Sequence, residues 1–183
     1  MRVYILRGLP GSGKTTFCEV IKRKIREEFD NVNIVHANRD LIRKDFIESC
    51  LKGEEDDMFV DYAMKNWRGT EEENYQSSFK DHYINMVVQK KFQMFVEGAY
   101  YCDNVTDIIV DCTMISASDV WWLVNFWENR NRLGDTWKFY QLELEFKSTH
   151  DVPDSVMRNY RILKEKTQCY WDKISGKNKF IVK

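Results

Sequence analysis

Gly8, Gly13, Lys14 and Thr15 stand in the spacing G-x-x-x-x-G-K-[ST] within "GLPGSGKT" (8–15). Each residue type has a chemical reason to be there. Glycines, Gly11 among them, let a backbone curl so that successive N–H groups converge on an anion. A helix starting at the end of the loop adds the positive end of its dipole. Lys14 supplies a cation for the outer phosphates of a nucleoside triphosphate, and the Thr15 hydroxyl a ligand for Mg2+. Gly8, Gly11, Ser12, Gly13, Lys14, Thr15 and Thr16 are therefore the candidate ATP-binding residues. The plainer alternative is a glycine turn between a strand and a helix. The position of the loop, after the apolar "RVYILR" and before a helical pattern, favours phosphate binding.

A carboxylate is also required wherever such a loop holds magnesium. Asp111, at the end of the apolar "DIIV", is the candidate, against the reading that it caps the next turn. "NRDLIR" (38–43) places Asp40 and Arg43 three apart at a helix start, hence on one face. An aspartate there could accept a proton from an attacking hydroxyl, and the arginine could hold an acceptor's phosphate. Taken alone, the pair is better explained as a helix-start aspartate with a solvated arginine. Trp122, Phe126 and Arg130 fall at i, i+4 spacing, an arrangement suited to stacking on bases beside a backbone phosphate. Packing of the segment 51–76 on that face is the alternative, and the simpler one. Arg132 and Lys138 add charge near Arg130, whereas Lys22, Arg23, Lys24 and Arg26 read as a solvated face.

Alternating strands and helices must position these groups. Strands are expected at 2–7, 32–37, 106–113 and 137–146, with a last edge strand in "NKFIVK". Helices are expected at 14–29 (core face Phe17, Val20, Ile21, Ile25), 40–50, 77–97 (core face Phe79, Tyr83, Met86, Val87, Phe92, Phe95), 117–132 (core face Val120, Leu123, Val124, Trp127) and 153–171. The pattern implies an α/β fold with a mainly parallel sheet covered by helices on both faces. The chain, 1–183, reads as one domain with an acidic insertion at 51–76.

Composition bounds the rest. At 183 residues and 43% hydrophobic, the chain has enough apolar material for a core. Its net charge is −1, so contact with nucleic acid must come from a local basic patch. Five cysteines without a C-x-x-C pair read as reduced thiols of a cytoplasmic protein, most of them core filler. With His36, His82 and His150 scattered along the chain, the sequence points away from zinc. The short apolar start runs straight into the glycine loop and does not read as a signal peptide. No stretch of eighteen apolar residues is present to cross a membrane.

The motifs "GLPGSGKT", "NRDLIR", "VDCT" (110–113) and "VPDSVMR" (152–158), in that order, resemble those of the polynucleotide-kinase group of P-loop kinases. The resemblance implies a kinase-type P-loop NTPase fold, with ATP and Mg2+ as cofactors. It also implies transfer of the γ-phosphate to a hydroxyl on nucleic acid, DNA before RNA. The hydroxyl would be a 5′-end or a hydroxymethylated pyrimidine such as 5-hydroxymethyluracil. Asp40 would be the base, Arg43 the grip on the acceptor's phosphate, Lys14 the stabiliser of the moving phosphoryl group, and Thr15 with Asp111 the magnesium ligands. Arg158, which matches the final arginine of the motif, would take the lid role, with Arg161 one turn on. The chain departs from the pattern in two places. The stretch before "VP" is "EFKSTHD", with Lys147 alone basic, and Met114 stands where relatives usually carry Asn. The alternative to a nucleic-acid acceptor is a nucleoside, nucleotide, antibiotic or sugar.

Overall fold

The structure, a computed structural model, describes residues 1–111, 117–132, 138–144, 152–175 and 178–182. These divide into two compact units, Met1–Ala37 with Cys102–Lys183, and Asn38–Tyr101.

The first unit is built on β1 (Arg2–Arg7), β2 (Ile34–Asn38), β3 (Asp107–Asp111), β4 (Lys138–Leu144) and β5 (Lys179–Val182). They form one all-parallel sheet in the order β2-β3-β1-β4-β5, an α/β architecture. β1 lies at the centre, with Leu6 opposite Asp111 of β3 and opposite Leu142 of β4. Arg2 fastens the opposite end of the β1–β3 pair through Asp107, its register partner, with Nε 2.6 Å from Oδ1 and Nη2 2.8 Å from Oδ2. β5 is the edge strand the tail was expected to supply.

Side-chain alternation sends the two sheet faces to different helices. On one face Leu6, Ile109 and Leu144 pack against Cys18, Ile21 and Ile25 of α1 (Lys14–Glu28). On the other, Trp127 of α6 (Ala117–Arg132) meets Phe139 of β4 at 5.4 Å between rings, and Lys164 of α7 (Asp154–Ser175) pairs with Glu143. Val120, Leu123, Val124 and Trp127 form the buried stripe of α6, as periodicity predicts. On α1 the expected core face is corrected by one position. Val20 is exposed, and Cys18, one turn after Lys14, takes the inward place. The cations of α1 do lie on a solvated face, paired as Lys22–Glu19, Arg23–Glu27 and Lys24–Glu27.

The second unit holds four helices: α2 (Arg39–Lys52), α3 (Asp57–Asn66), α4 (Glu71–Ser78) and α5 (His82–Tyr100). Phe46, Ile47, Cys50, Ala63, Trp67, Ile84 and Val88 form its core. The segment read as an insertion, 51–76, is thus the middle of a larger unit with a core of its own. The single helix expected over 77–97 is also corrected. A capping box between Thr70 and Glu73 starts α4, and the Asp81 carboxylate accepts from the Ile84 N–H to start α5. The buried face of α5 is Ile84, Val88, Phe92, Val96 and Ala99, while Tyr83, Met86 and Phe95 are exposed.

Candidate phosphate-binding loop and its neighbours

The loop 8–13 leaves β1 and delivers the chain to α1, at the carboxyl end of the sheet where open α/β folds bind ligands. Two of its glycines have positive φ, Gly11 at 71° and Gly13 at 78°, a region costly for any residue with a Cβ. Gly8 is demanded for a different reason. A Cβ there would stand 2.5 Å from Ser12 Oγ and 3.2 Å from the Leu144 carbonyl oxygen. The loop closes on itself through the Ser12 N–H, which donates to the Leu9 carbonyl at 3.1 Å.

Lys14 is the first residue of α1 and is buried. Its Nζ donates to the carbonyls of Gly8 at 3.2 Å and Leu9 at 2.8 Å, so the cation lies inside the curve of its own loop. Gly13 caps the helix without any side-chain hydrogen bond, leaving the first-turn N–H groups without a side-chain acceptor from the cap. Thr15 and Thr16 are exposed.

The Thr15 hydroxyl donates to Asp111 Oδ2 at 2.9 Å, joining the loop to the end of β3. His36 Nε2 lies 3.4 Å from the same oxygen. Asp111 is buried, which by itself would raise its pKa. Hydrogen bonds from His36 and Thr15 and the charge of Lys14 outweigh burial and hold the carboxyl below its ordinary value. The group is therefore kept as a carboxylate, the form a cation requires.

The residues fit magnesium and a nucleotide by two observations. Thr15 and Asp111 place two hard oxygen donors within hydrogen-bond distance, the donor type Mg2+ takes. Ser12 Oγ is buried within the loop and has no hydrogen-bond partner, so a polar atom is presented there with its demand unmet.

The sequence singled out neither Cys18 nor His36. Their ligand atoms and a carboxylate oxygen of Asp111 all lie within 4.8 Å of one another. The available signal was the four-residue spacing from Lys14, which puts Cys18 under the loop.

In the second unit, the Asn38 carboxamide caps α2, accepting from the N–H groups of Asp40 at 2.9 Å and Leu41 at 3.0 Å. Asp40 is exposed in the first turn of that helix. Arg43 is 3% exposed, and its guanidinium is engaged within the unit. Nη1 donates to the Ser78 carbonyl and hydroxyl at 3.2 and 3.3 Å, Nη2 donates to Asn85 Oδ1 at 2.7 Å, and the group lies 4.2 Å over the Phe79 ring. Burial lowers its pKa from the ordinary arginine value. The arginine expected to grip an acceptor instead ties α2 to α4, to Phe79 and to α5.

On α6, Trp122 and Phe126 are half-buried and stack on each other, 5.6 Å apart with planes 20° apart. The Arg130 side chain lies outside the described residues, as do Lys147, Met114 and all of Arg132 beyond its helical backbone. Arg158 and Arg161 are exposed in the first two turns of α7. No helix among the described residues is long and apolar enough to cross a membrane.

Protein-family models give no match to this chain. Comparison with curated proteins gives no match either.

Proposed function

We propose that the chain is an ATP-dependent phosphotransferase of the P-loop kinase type, moving the γ-phosphate of ATP to a hydroxyl on nucleic acid. The observation that supports this reading is the coupling of the loop to the neighbouring strand. Gly11 and Gly13 turn the backbone, Lys14 opens the helix, and Thr15 reaches Asp111 at 2.9 Å. A plain glycine turn needs neither the buried lysine nor the orphaned Ser12 hydroxyl.

In this reading the loop N–H groups and Lys14 hold the phosphates and neutralise charge as the phosphoryl group moves. Thr15 and Asp111 are the residues that would hold Mg2+, which when bound neutralises phosphate charge. Asp40 accepts the proton of the acceptor hydroxyl, a role that rests on the "NRDLIR" motif. Arg158 supplies charge to the γ-phosphate from α7. Arg43 acts by holding the helix that carries Asp40.

A second reading, a kinase for a nucleoside or another small molecule, is favoured by two observations. Trp122 and Phe126 spend ring faces on each other, and Arg43 spends both terminal nitrogens inside its own unit. One experiment separates the two. Labelled ATP is incubated with 5′-hydroxyl oligonucleotides, hydroxymethyluracil-containing DNA and a panel of nucleosides, nucleotides, aminoglycosides and sugars, and the label is followed. Labelled polymer is the expected product. Absence of transfer to any acceptor, with no ATP hydrolysis, overturns the phosphotransferase reading.

A further inference from the structure

Cys18, His36 and Asp111 come from three separate elements, α1, β2 and the end of β3, all within the first unit. Among the described residues they form the one group of three whose side chains could together hold a metal ion, with ligand atoms within 4.8 Å of one another. We propose that these three residues form a binding site for a thiophilic divalent cation of the zinc class, distinct in ligand chemistry from the oxygen pair Thr15–Asp111.

The donor set is the first argument. A sulfur, an imidazole nitrogen and a carboxylate oxygen suit zinc or cobalt, whereas magnesium takes oxygen alone. Distance is the second. Bonds of about 2 Å in a tetrahedron place N and O ligands roughly 3.4 Å apart. His36 Nε2 and Asp111 Oδ2 already stand 3.4 Å apart, so one edge of the site is in place. Sγ needs to approach by about an ångström, the scale of a side-chain adjustment.

Charge is the third argument. A divalent cation with one thiolate, one carboxylate and one neutral imidazole is a neutral assembly, which the buried surroundings tolerate. The thiol proton passes to solvent on ligation. Leu6, Ile21 and Ile109 pack around Cys18 and keep the sulfur side dry. Three protein ligands leave a fourth position for water, as in open zinc sites. A core-filling cysteine accounts for the buried thiol and its hydrogen bond to Asp111, but not for the imidazole that stands within ligand distance of both.

The site shares Asp111 Oδ2 with Thr15, so occupation by zinc withdraws that oxygen from the Thr15 hydroxyl. Where the phosphotransferase reading holds, zinc is an inhibitor competing with magnesium. Binding itself does not depend on that reading.

The test is optical titration of the metal-free full chain with Co2+ alone, followed by displacement with Zn2+. The expected result is one equivalent of cobalt with a thiolate-to-metal charge-transfer band and the intense visible bands of tetrahedral cobalt, both erased by zinc. Cys18→Ser removes the charge-transfer band. His36→Ala, at a partly exposed position less demanding of the core, weakens cobalt binding at least about tenfold while circular dichroism remains that of the wild type. A wild-type chain without a charge-transfer band overturns the proposal. So does a band that survives Cys18→Ser, since the thiolate then belongs to another cysteine, or cobalt affinity unchanged in His36→Ala, since the imidazole is then no ligand.

Discussion

At the level of single residues, the loop and "NRDLIR" make different demands on substitution. Lys14→Ala is expected to lower phosphoryl transfer at least about a hundredfold, the effect of removing one preorganised charge. The buried Nζ sits among loop carbonyls, so a parallel melting curve must show that the loop still folds. Asp40→Asn is expected to keep ATP affinity and nearly abolish transfer, because the amide keeps the shape but accepts no proton. Turnover at a quarter or more of wild type makes Asp40 a helix-start residue and places the base elsewhere. Arg43→Ala is expected to act on stability. It leaves the Ser78 and Asn85 acceptors short of a donor in a buried setting, at a cost of about 1–3 kcal/mol, and Arg43→Lys does not restore the fork. A variant with unchanged melting but weakened acceptor binding returns Arg43 to the acceptor. The glycine loop between β1 and α1 was legible in the sequence because each of its residue types answers a local backbone or charge requirement. The setting of Arg43 was not, because Ser78, Phe79 and Asn85 lie thirty-five or more residues further along the chain.

Elements were legible where local chemistry and periodicity agreed. The strand–loop–helix from Arg2 to Glu28 and the buried stripe of α6 follow from pattern alone. Residues 51–100 misled for a local reason. Aromatic and methionine side chains on the exposed face of α5 outweighed the smaller Ile84, Val88 and Val96 that face inward, and the stop between α4 and α5 is written in caps, not in hydrophobicity. Thr70 Oγ1 accepts from the Glu73 N–H at 3.3 Å, and Glu73 Oε2 accepts from the Thr70 N–H at 2.7 Å. Thr70→Ala is expected to destabilise the protein by about 1 kcal/mol, read as a lower unfolding midpoint with unchanged steepness. The Thr70 backbone and hydroxyl hydrogen bonds hold the Glu73 carboxyl below its ordinary value. A carboxylate with a depressed folded-state pKa stabilises above the ordinary glutamate range and loses that contribution as pH falls through the folded value. Thr70→Ala is therefore closest to wild type at acid pH and furthest at neutral pH. A difference independent of pH assigns the loss to the bond that the threonine hydroxyl accepts from the Glu73 N–H, not to the one it donates to the carboxylate.

For the molecule as a whole, net charge decides how a polymeric acceptor could be held. At −1 the overall field does not draw in nucleic acid, so attraction must be local and limited to a few cations. Arg158 and Arg161 are exposed on α7 and available for that purpose. Each phosphate neutralised releases counterions, so apparent affinity for a DNA acceptor should fall steeply from low to physiological salt, with a slope corresponding to a few phosphates. ATP affinity, set by the enclosed loop, should change far less. Trp122→Ala adds the complementary measurement. If Trp122 leaves its stack with Phe126 to receive a base, the variant weakens oligonucleotide acceptors by about 1–3 kcal/mol and leaves basal ATP hydrolysis unchanged. If the stack is part of the packing of α6, the same variant lowers the melting temperature and has no selective effect on oligonucleotides. A nucleoside phosphorylated faster than any oligonucleotide, with a flat salt dependence and Trp122→Ala silent in acceptor binding, makes the protein a small-molecule kinase. In that outcome the aromatic pair on α6 is packing, and the scarcity of net positive charge needs no local exception.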